Sequence, residues 1–476
     1  MSHTGYIKQL INHFNEGKDK IAFRIYDGTQ LNCITYKQHT EDILKVAGYF
    51  KSHNITNKHV ALLGTNSYNW YVTFFALEAT GNTVVSMNFL LPPAMLGGQA
   101  QKADIDLAVC DPALVDMVKP GLEGYKFLTY TDLTCAEPIA LEDVHSMKPN
   151  DTMLLMFTSG TTGTSKAVEI TDSIMADAIA NQEQVMAYSS NESLYCTIPL
   201  FHIAGIKTAL CYLQRERMIC LGRGIRYMFM DMAYLNPSNA FLVPSMVDTL
   251  IKAIKTVKDG NVAKILGTKL DTIGMGGAKV SPSVCRYLID LGFNVEVGYG
   301  MTELTGDGTY YKMDKDHLNS VGRPLGAMEC RVENGELLFR GPSLMKCYYK
   351  DPEETAKVIV DGWMHTGDLG YIDDDGYLYI TGRKKNVIIL SNGENVNPEE
   401  IEAEFAECEA IDEALVYADE RGICADICTK DEAAAAEYIK KYNKDTPLFR
   451  QVYKVNYTAD PLPKTVSGKI KRKTSV

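Results

Sequence analysis

Residues 158–166 read TSGTTGTSK and follow the apolar run MLLMF. A glycine-rich turn leaving a strand points its backbone N–H groups into a concave nest, which suits phosphate oxygens. Four Thr and two Ser add hydroxyl donors, and Lys166 adds a mobile positive charge. Phosphate is therefore what the loop is suited to hold. It is not a Walker loop, because Ser165 stands before Lys166 where G-x-x-x-x-G-K-[ST] requires Gly. A second basic feature is PKTVSGKIKRKTSV, with five cations in the ten residues from Lys464 to Lys473. Taken alone, that tail is a solvated end.

The elements that must position these groups can be read from the pattern of apolar residues. HVALLGTN, YNWYVTFFALEATG, TVVSMNF, MLGGQAQKA and DLAVC alternate as strand, helix, strand, helix, strand. That order predicts a parallel sheet with covering helices. YCTIPLF reads as a further strand, and NAFLVPSMVDTLIKAIK as a strand running into a helix. LDTIGMGG, SPSVCRYLIDLG and NVEVGYG follow in the same rhythm, with Ser281-Pro282 as an N-cap and first helical residue. After about residue 310 polar and apolar residues alternate, and Asp375-Gly376 marks a hairpin in a small antiparallel subdomain. GRKK then joins a short α+β segment.

The chain has 476 residues, 46% of them apolar, which allows two to three domains. With 48 Lys and Arg against 60 Asp and Glu, the net charge of −12 gives no general reason to bind nucleic acid or an anionic membrane. The twelve Cys form no C-x-x-C pair, so neither a disulfide framework nor a zinc site is expected. Such thiols fit a reducing cytoplasm. MSHTGYIKQLINHF lacks the basic-then-apolar order of a signal peptide, and no apolar run is long enough for a membrane span.

Eight motifs, in order, carry a resemblance: TSGTTGTSK, PLFHIAG, GMGGAKVSP, GYGMTE, WMHTGDLGY, ITGRKKN, SNGENVNPEEIE and PLPKTVSGKIKRK. From about Leu31 to Lys473 the chain resembles the adenylate-forming superfamily of acyl-CoA synthetases, carrier-loading adenylation domains and beetle luciferases. The resemblance implies an α/β fold. Residues 1–383 would form a large N-terminal domain of parallel sheets flanked by helices, with a small β-barrel-like subdomain. Residues 384–476 would form a small, mobile α+β domain. The implied chemistry uses ATP, Mg2+ and CoA: a carboxylate attacks the α-phosphate, and a thiol then displaces AMP.

Residue by residue, the resemblance assigns Thr158, Ser159, Gly160, Thr161, Thr162, Gly163 and Lys166 to the ATP phosphates. Glu303 would be the Mg2+ ligand, a hard carboxylate for a hard cation. Thr302 would donate to the α-phosphate, and Tyr299 would lie against adenine beside Gly300 and Met301. Asp368 would accept from the ribose hydroxyls, and Arg383 would reach ribose and phosphate. Lys469 would be the catalytic lysine of the adenylation half, and PKTVSGK also fits the family's pattern for regulatory lysine acetylation. Of the other basic-tail residues, Lys464, Lys471, Arg472 and Lys473 would be solvated or face the nucleotide end of CoA. His202 would lie beside the acyl carboxylate. Gly276, Gly277 and Ala278 would line the nucleotide and acyl pocket. Lys385 falls at the hinge, and Gly393 on the loop that enters the cleft with the pantetheine arm.

Two departures stand out: Ala167 follows Lys166 where Gly is usual, and Cys347 stands where Gly is common. Gly300 occupies the place of a Trp in acetate-type members, so a pocket open to acids larger than propionate is expected. Medium or long aliphatic acids and aryl acids both fit. An alternative is a stand-alone enzyme that loads an acyl carrier protein in trans. A non-catalytic relative is disfavoured because Glu303, Asp368, Arg383 and Lys469 are all present.

Overall fold

A computed structural model describes residues 5–133, 136–158, 165–186, 192–257, 261–278, 281–390, 394–419, 421–464 and 470–472. Two large sheets organise the N-terminal part. The first has seven strands in the order Cys347–Tyr348, Ala167–Thr171, Thr152–Phe157, Thr83–Ser86, His59–Leu63, Leu107–Cys110 and Lys126–Thr129. The second has nine: Arg323–Pro324, Gly308–Lys312, Asn294–Gly300, Thr272–Met275, Asn239–Leu242, Ser193–Tyr195, Met218–Leu221, Ile21–Tyr26 and Leu31–Thr35. Their centres are parallel, as the strand–helix alternation predicts. Antiparallel strands finish one edge of the first sheet and both edges of the second. One apolar core, which includes Trp70, Phe74, Phe75 and Leu154, joins the two sheets. The helix Tyr68–Ala79 is buried along its length from Trp70 onward, which is why its sequence is largely apolar all round, apart from Thr73 and Glu78.

The small antiparallel subdomain is a five-stranded sheet. Its strands Trp363–Ile372 and Leu378–Arg383 form the hairpin foreseen at Asp375-Gly376, with Gly376 at φ +83° in the turn. Beyond it, Glu413–Asp419, Gly422–Cys428 and Val452–Thr458 form a three-stranded sheet packed with the helices Pro398–Phe405 and Glu432–Asp445. This segment has its own core, around Ile401, Phe405, Val416 and Ile427. No described helix is long and apolar enough to cross a membrane.

One expected strand is cut short. YCTIPLF leaves the second sheet at Tyr195. Pro199 has no N–H for a ladder. The Asn66 amide takes the ladder's place, donating to the Cys196 and Ile198 carbonyls and accepting from the Leu200 N–H at 3.0 Å. The chain so held leads into the helix Ile203–Gln214, with His202 at its N-cap position.

Candidate active site

The loop that opened the sequence analysis joins two antiparallel strands. Thr152–Phe157 enters it, Ala167–Thr171 leaves it, and the Thr158 N–H donates to the Lys166 carbonyl at 3.0 Å across its neck. Ser159, Gly160, Thr161, Thr162 and Gly163 lie outside the described residues, as do Gly393 and Lys469. The Ala167 departure is accounted for: it is a fully buried strand residue paired with Phe157. Cys347 is accounted for as well. It lies on the edge strand and donates its thiol to Glu169 at 3.2 Å, where Thr152 and Lys346 also donate.

Lys166 extends from the loop neck to Glu354, 2.6 Å away, and its ammonium lies 4.8 Å over the ring of Tyr348. The Glu354 carboxyl is held down to about 2, first by Lys166 and then by Lys357. Tyr348 donates its hydroxyl to Glu303 Oε1 at 2.8 Å. Glu303 sits in the short turn Thr302–Leu304 that ends the strand Asn294–Gly300 and is only 6% exposed. Burial raises its carboxyl above the ordinary glutamate value, while Tyr348, Lys166 and Arg383 pull it back. The result is a desolvated hard oxygen donor whose charge its surroundings only partly offset. Among the described residues no group of three or more His, Cys, Asp or Glu could cage a metal ion. A lone carboxylate of this kind fits Mg2+ that arrives with nucleotide phosphates and supplies most of its own ligands.

The Arg383 field that reaches Glu303 leads to a second buried carboxylate. Asp368 and Arg383 face each other across the hairpin, and Arg383 Nε lies 2.7 Å from Asp368 Oδ1. The Tyr299 hydroxyl donates to Asp368 Oδ2 at 2.6 Å, and Thr366 accepts from the Asp368 N–H. Burial and then Asp368 push the Tyr299 phenol well above its ordinary value, so it remains a donor. Tyr299 is thus more than a flat apolar ring: its hydroxyl fixes Asp368, while its ring packs near Phe339.

The glycines need a finer account than open space. A Cβ on Gly300 would stand 2.4 Å from the Gly306 carbonyl, so a close backbone approach demands glycine there, and the residue is no measure of pocket depth. At Gly276 the room is filled by Phe241 and the Gly298 carbonyl. Gly277 has φ +80° with nothing nearby, and it and Ala278 are exposed. His202 is also exposed, with its ring against Phe201.

Sequence reasoning missed a polar network beneath the GYGMTE turn. Lys207 and Asp307 form a buried ion pair. Asp307 also accepts from Asn181 at 3.1 Å and Ser343 at 2.6 Å, and Asn181 accepts from the Ala327 N–H. No short motif joins these positions, and only the fold assembles them. The basic tail also differs from expectation. Arg472 is not solvated: its guanidinium is bidentate on Glu402, at 2.9 and 2.7 Å, and also meets Glu399. Lys464 pairs with Glu413, and a backbone bridge between Lys464 and Ile470 closes the neck of the stretch that contains Lys469.

Residues 12–349 match the family of AMP-binding enzymes, and residues 385–476 match the C-terminal domain of such enzymes. A 2-succinylbenzoate–CoA ligase of Listeria innocua is 26% identical over 476 residues, covering 94% of each chain. An o-succinylbenzoate CoA synthetase from Bacillus subtilis, solved with its acyl-adenylate, superposes with a TM-score of 0.85 at 21% identity over 97% of this chain and 96% of that one. An anthranilate CoA ligase solved with anthranoyl-AMP gives 0.87 at 18% identity, over 99% and 96%. At these identities the structural likeness speaks for the fold.

Proposed function

The chain belongs to the family of AMP-binding enzymes; it is an ATP-dependent, AMP-forming acyl-CoA ligase, and we propose that the acid it activates is an aryl carboxylate. The observation that carries the site assignment is the convergence of Lys166, Tyr348 and Glu303 with Arg383, Asp368 and Tyr299, from five separated stretches of chain. The aryl assignment draws on the end-to-end similarity to 2-succinylbenzoate–CoA ligases rather than on Gly300.

In this reading ATP lies with its ribose at Asp368 and its triphosphate at 158–166. A carboxylate is acceptor-only and has about four lone-pair sites, so Asp368 can take ribose hydroxyls beside Tyr299 and Arg383. Lys166 follows the phosphates, and Thr302 donates to the α-phosphate. Glu303 holds the cation, and Mg2+ when bound neutralises phosphate charge. Gly276, Gly277 and Ala278 border the nucleotide and the acid, and His202 stands beside the acid's carboxylate. An oxygen of that carboxylate attacks the α-phosphorus. The bond to the bridging oxygen breaks, and its electron pair leaves with pyrophosphate. Lys469 stabilises the charge that gathers at this point, typically the largest single catalytic term. The CoA sulfur then attacks the acyl carbon, and AMP leaves with the former C–O electron pair.

The division into residues 1–383 and a mobile 384–476, turning at Lys385, belongs to the same proposal. The separate core of the C-terminal segment supports it. So do its own anchors for the tail, Glu402 and Glu413. Gly393 would then admit the pantetheine arm. A cytoplasmic location accords with the described cysteines, all free thiols.

The test is pyrophosphate release with ATP, Mg2+ and acetate, octanoate, palmitate, benzoate or 2-succinylbenzoate, each with and without CoA. CoA-dependent turnover on the aryl acids is expected. Turnover confined to aliphatic acids would overturn the aryl assignment. A pyrophosphate burst that CoA cannot turn over would move the acceptor to a carrier protein.

A further inference from the structure

The edge strand Cys347–Tyr348 and the helix Pro352–Val358 supply no residue that the reading above sets against the nucleotide or its metal. They nevertheless contact two of its charged groups, Glu303 and Lys166. Tyr348 is 3% exposed, and its backbone is fixed on two sides. It pairs with Val168 in the sheet, and its N–H donates to Thr355 Oγ1 at 2.9 Å. Three residues earlier, the Met345 N–H donates to the Glu303 carbonyl at 2.8 Å. The strand and the Thr302–Leu304 turn are therefore joined through main chain as well as side chain. From this fixed base one phenol reaches Glu303 with its hydroxyl and Lys166 with its ring face.

The choice of donor matters. A lysine or arginine at this point would neutralise Glu303 and compete with a metal ion for it. A phenylalanine would fill the same volume and leave the carboxylate unoriented. A phenol is a neutral donor, so it orients the carboxylate without cancelling its charge. Partners that hold a metal-binding carboxylate in this way govern affinity through orientation.

We propose that Tyr348 is a positioning residue: its hydroxyl fixes one oxygen of Glu303 so that the carboxylate meets the magnesium nucleotide correctly aimed, while its ring steadies Lys166 beside the same phosphates. The inference rests on the reading of Glu303 given above. Glu354, the resting counter-ion of Lys166, completes the arrangement on the helix Pro352–Val358.

Tyr348→Phe removes the hydroxyl and keeps the ring. Binding of a non-hydrolysable ATP analogue, followed by calorimetry across a Mg2+ series, should need about 10–100-fold more Mg2+ for half-saturation. AMP affinity without metal should stay as in the wild type. A second comparison, Glu303→Gln against Glu303→Gln/Tyr348→Phe, contains no buried charge left without its donor. There the tyrosine change should add no further shift. An unchanged Mg2+ requirement in Tyr348→Phe, an equal loss of AMP affinity, or additive effects in the double variant would each overturn the role of Tyr348. Analogue binding by the wild type that ignores Mg2+ would instead overturn the reading of Glu303 itself.

Discussion

Asp368 and Glu303 are both buried carboxylates of one site, and the protein surrounds them differently. Asp368, the proposed ribose acceptor, receives a guanidinium on one oxygen and a phenol on the other. Its charge is balanced before any ligand arrives, which suits neutral hydroxyls that need only lone pairs. Glu303, the proposed metal ligand, receives one phenol and keeps a raised carboxyl. In the proposed reading its charge is left for a cation. In the proposed reading, the same side-chain chemistry is tuned to a sugar at one end and to a metal-bearing phosphate at the other, through the partners supplied.

The largest effect should come from Lys469, the proposed catalytic group of the first half-reaction. Lys469→Ala should lower acid-dependent pyrophosphate release about 10²–10³-fold, by analogy with the loss of one oxyanion donor. Thioester formation from chemically prepared acyl-adenylate should fall far less, because the role proposed for the lysine is confined to the first half. Equal losses in both halves would place Lys469 elsewhere. Next comes Asp368→Asn, which strips the ribose end of its charge and leaves Arg383 unpaired. Hydrogen bonds to charged groups are worth about 1.5–3 kcal/mol, so KM for ATP should rise roughly tenfold or more. The Mg2+ requirement should not move, and a shift there would blur the division between the two ends.

The pH dependence sharpens the same division. Glu303 must be ionised to hold a cation, and its carboxyl is raised by burial. Magnesium-dependent binding of the ATP analogue should therefore weaken as pH falls, at a higher pH than an ordinary glutamate would give. Metal-free AMP binding should not follow it. Calorimetry at a series of pH values separates the two.

A third buried carboxylate is a control. Glu78, on the helix Tyr68–Ala79, has neither oxygen bonded among the described residues, and burial followed by Asp172 raises it well above the ordinary value. The folded state holds its proton where the unfolded chain has lost it. Its contribution is thus full below the unfolded value and is lost as pH rises through the folded one. Glu78→Met should raise the melting temperature modestly, by a margin that grows with pH above the ordinary glutamate range. A margin independent of pH would mean that Glu78 is ionised in the fold.

Much of this was legible in the sequence, for physical reasons that differ by residue. Asp368 and Arg383 stand out only through the ordered motifs WMHTGDLGY and ITGRKKN, and the hairpin at Asp375-Gly376 then sets them across from one another. The parallel strands stand out because burial on both faces leaves continuous apolar runs. Tyr348 does not, since a tyrosine on a two-residue edge strand carries no periodicity. Its importance arises only when that strand docks beside Ala167–Thr171. Arg472 looked solvated because its partners, Glu399 and Glu402, lie about seventy residues earlier. The irregular stretch after Tyr195 was hidden for a similar reason: the Asn66 side chain that holds it comes from another part of the chain.

The Lys207–Asp307 pair beneath the GYGMTE turn has a consequence for how such a protein can change over generations. Replacing either partner alone strands a buried charge, and breaking a buried pair in that way typically costs about 3–5 kcal/mol, a large share of a domain's stability. Replacing both with apolar residues of similar volume is often neutral or better. The two intermediate genotypes are poor, so drift at these two positions is gated. Asn181 and Ser343, which also bond Asp307, would have to move with them. A descendant with a different residue at 307 should therefore carry a matching change at 207, inherited as a set.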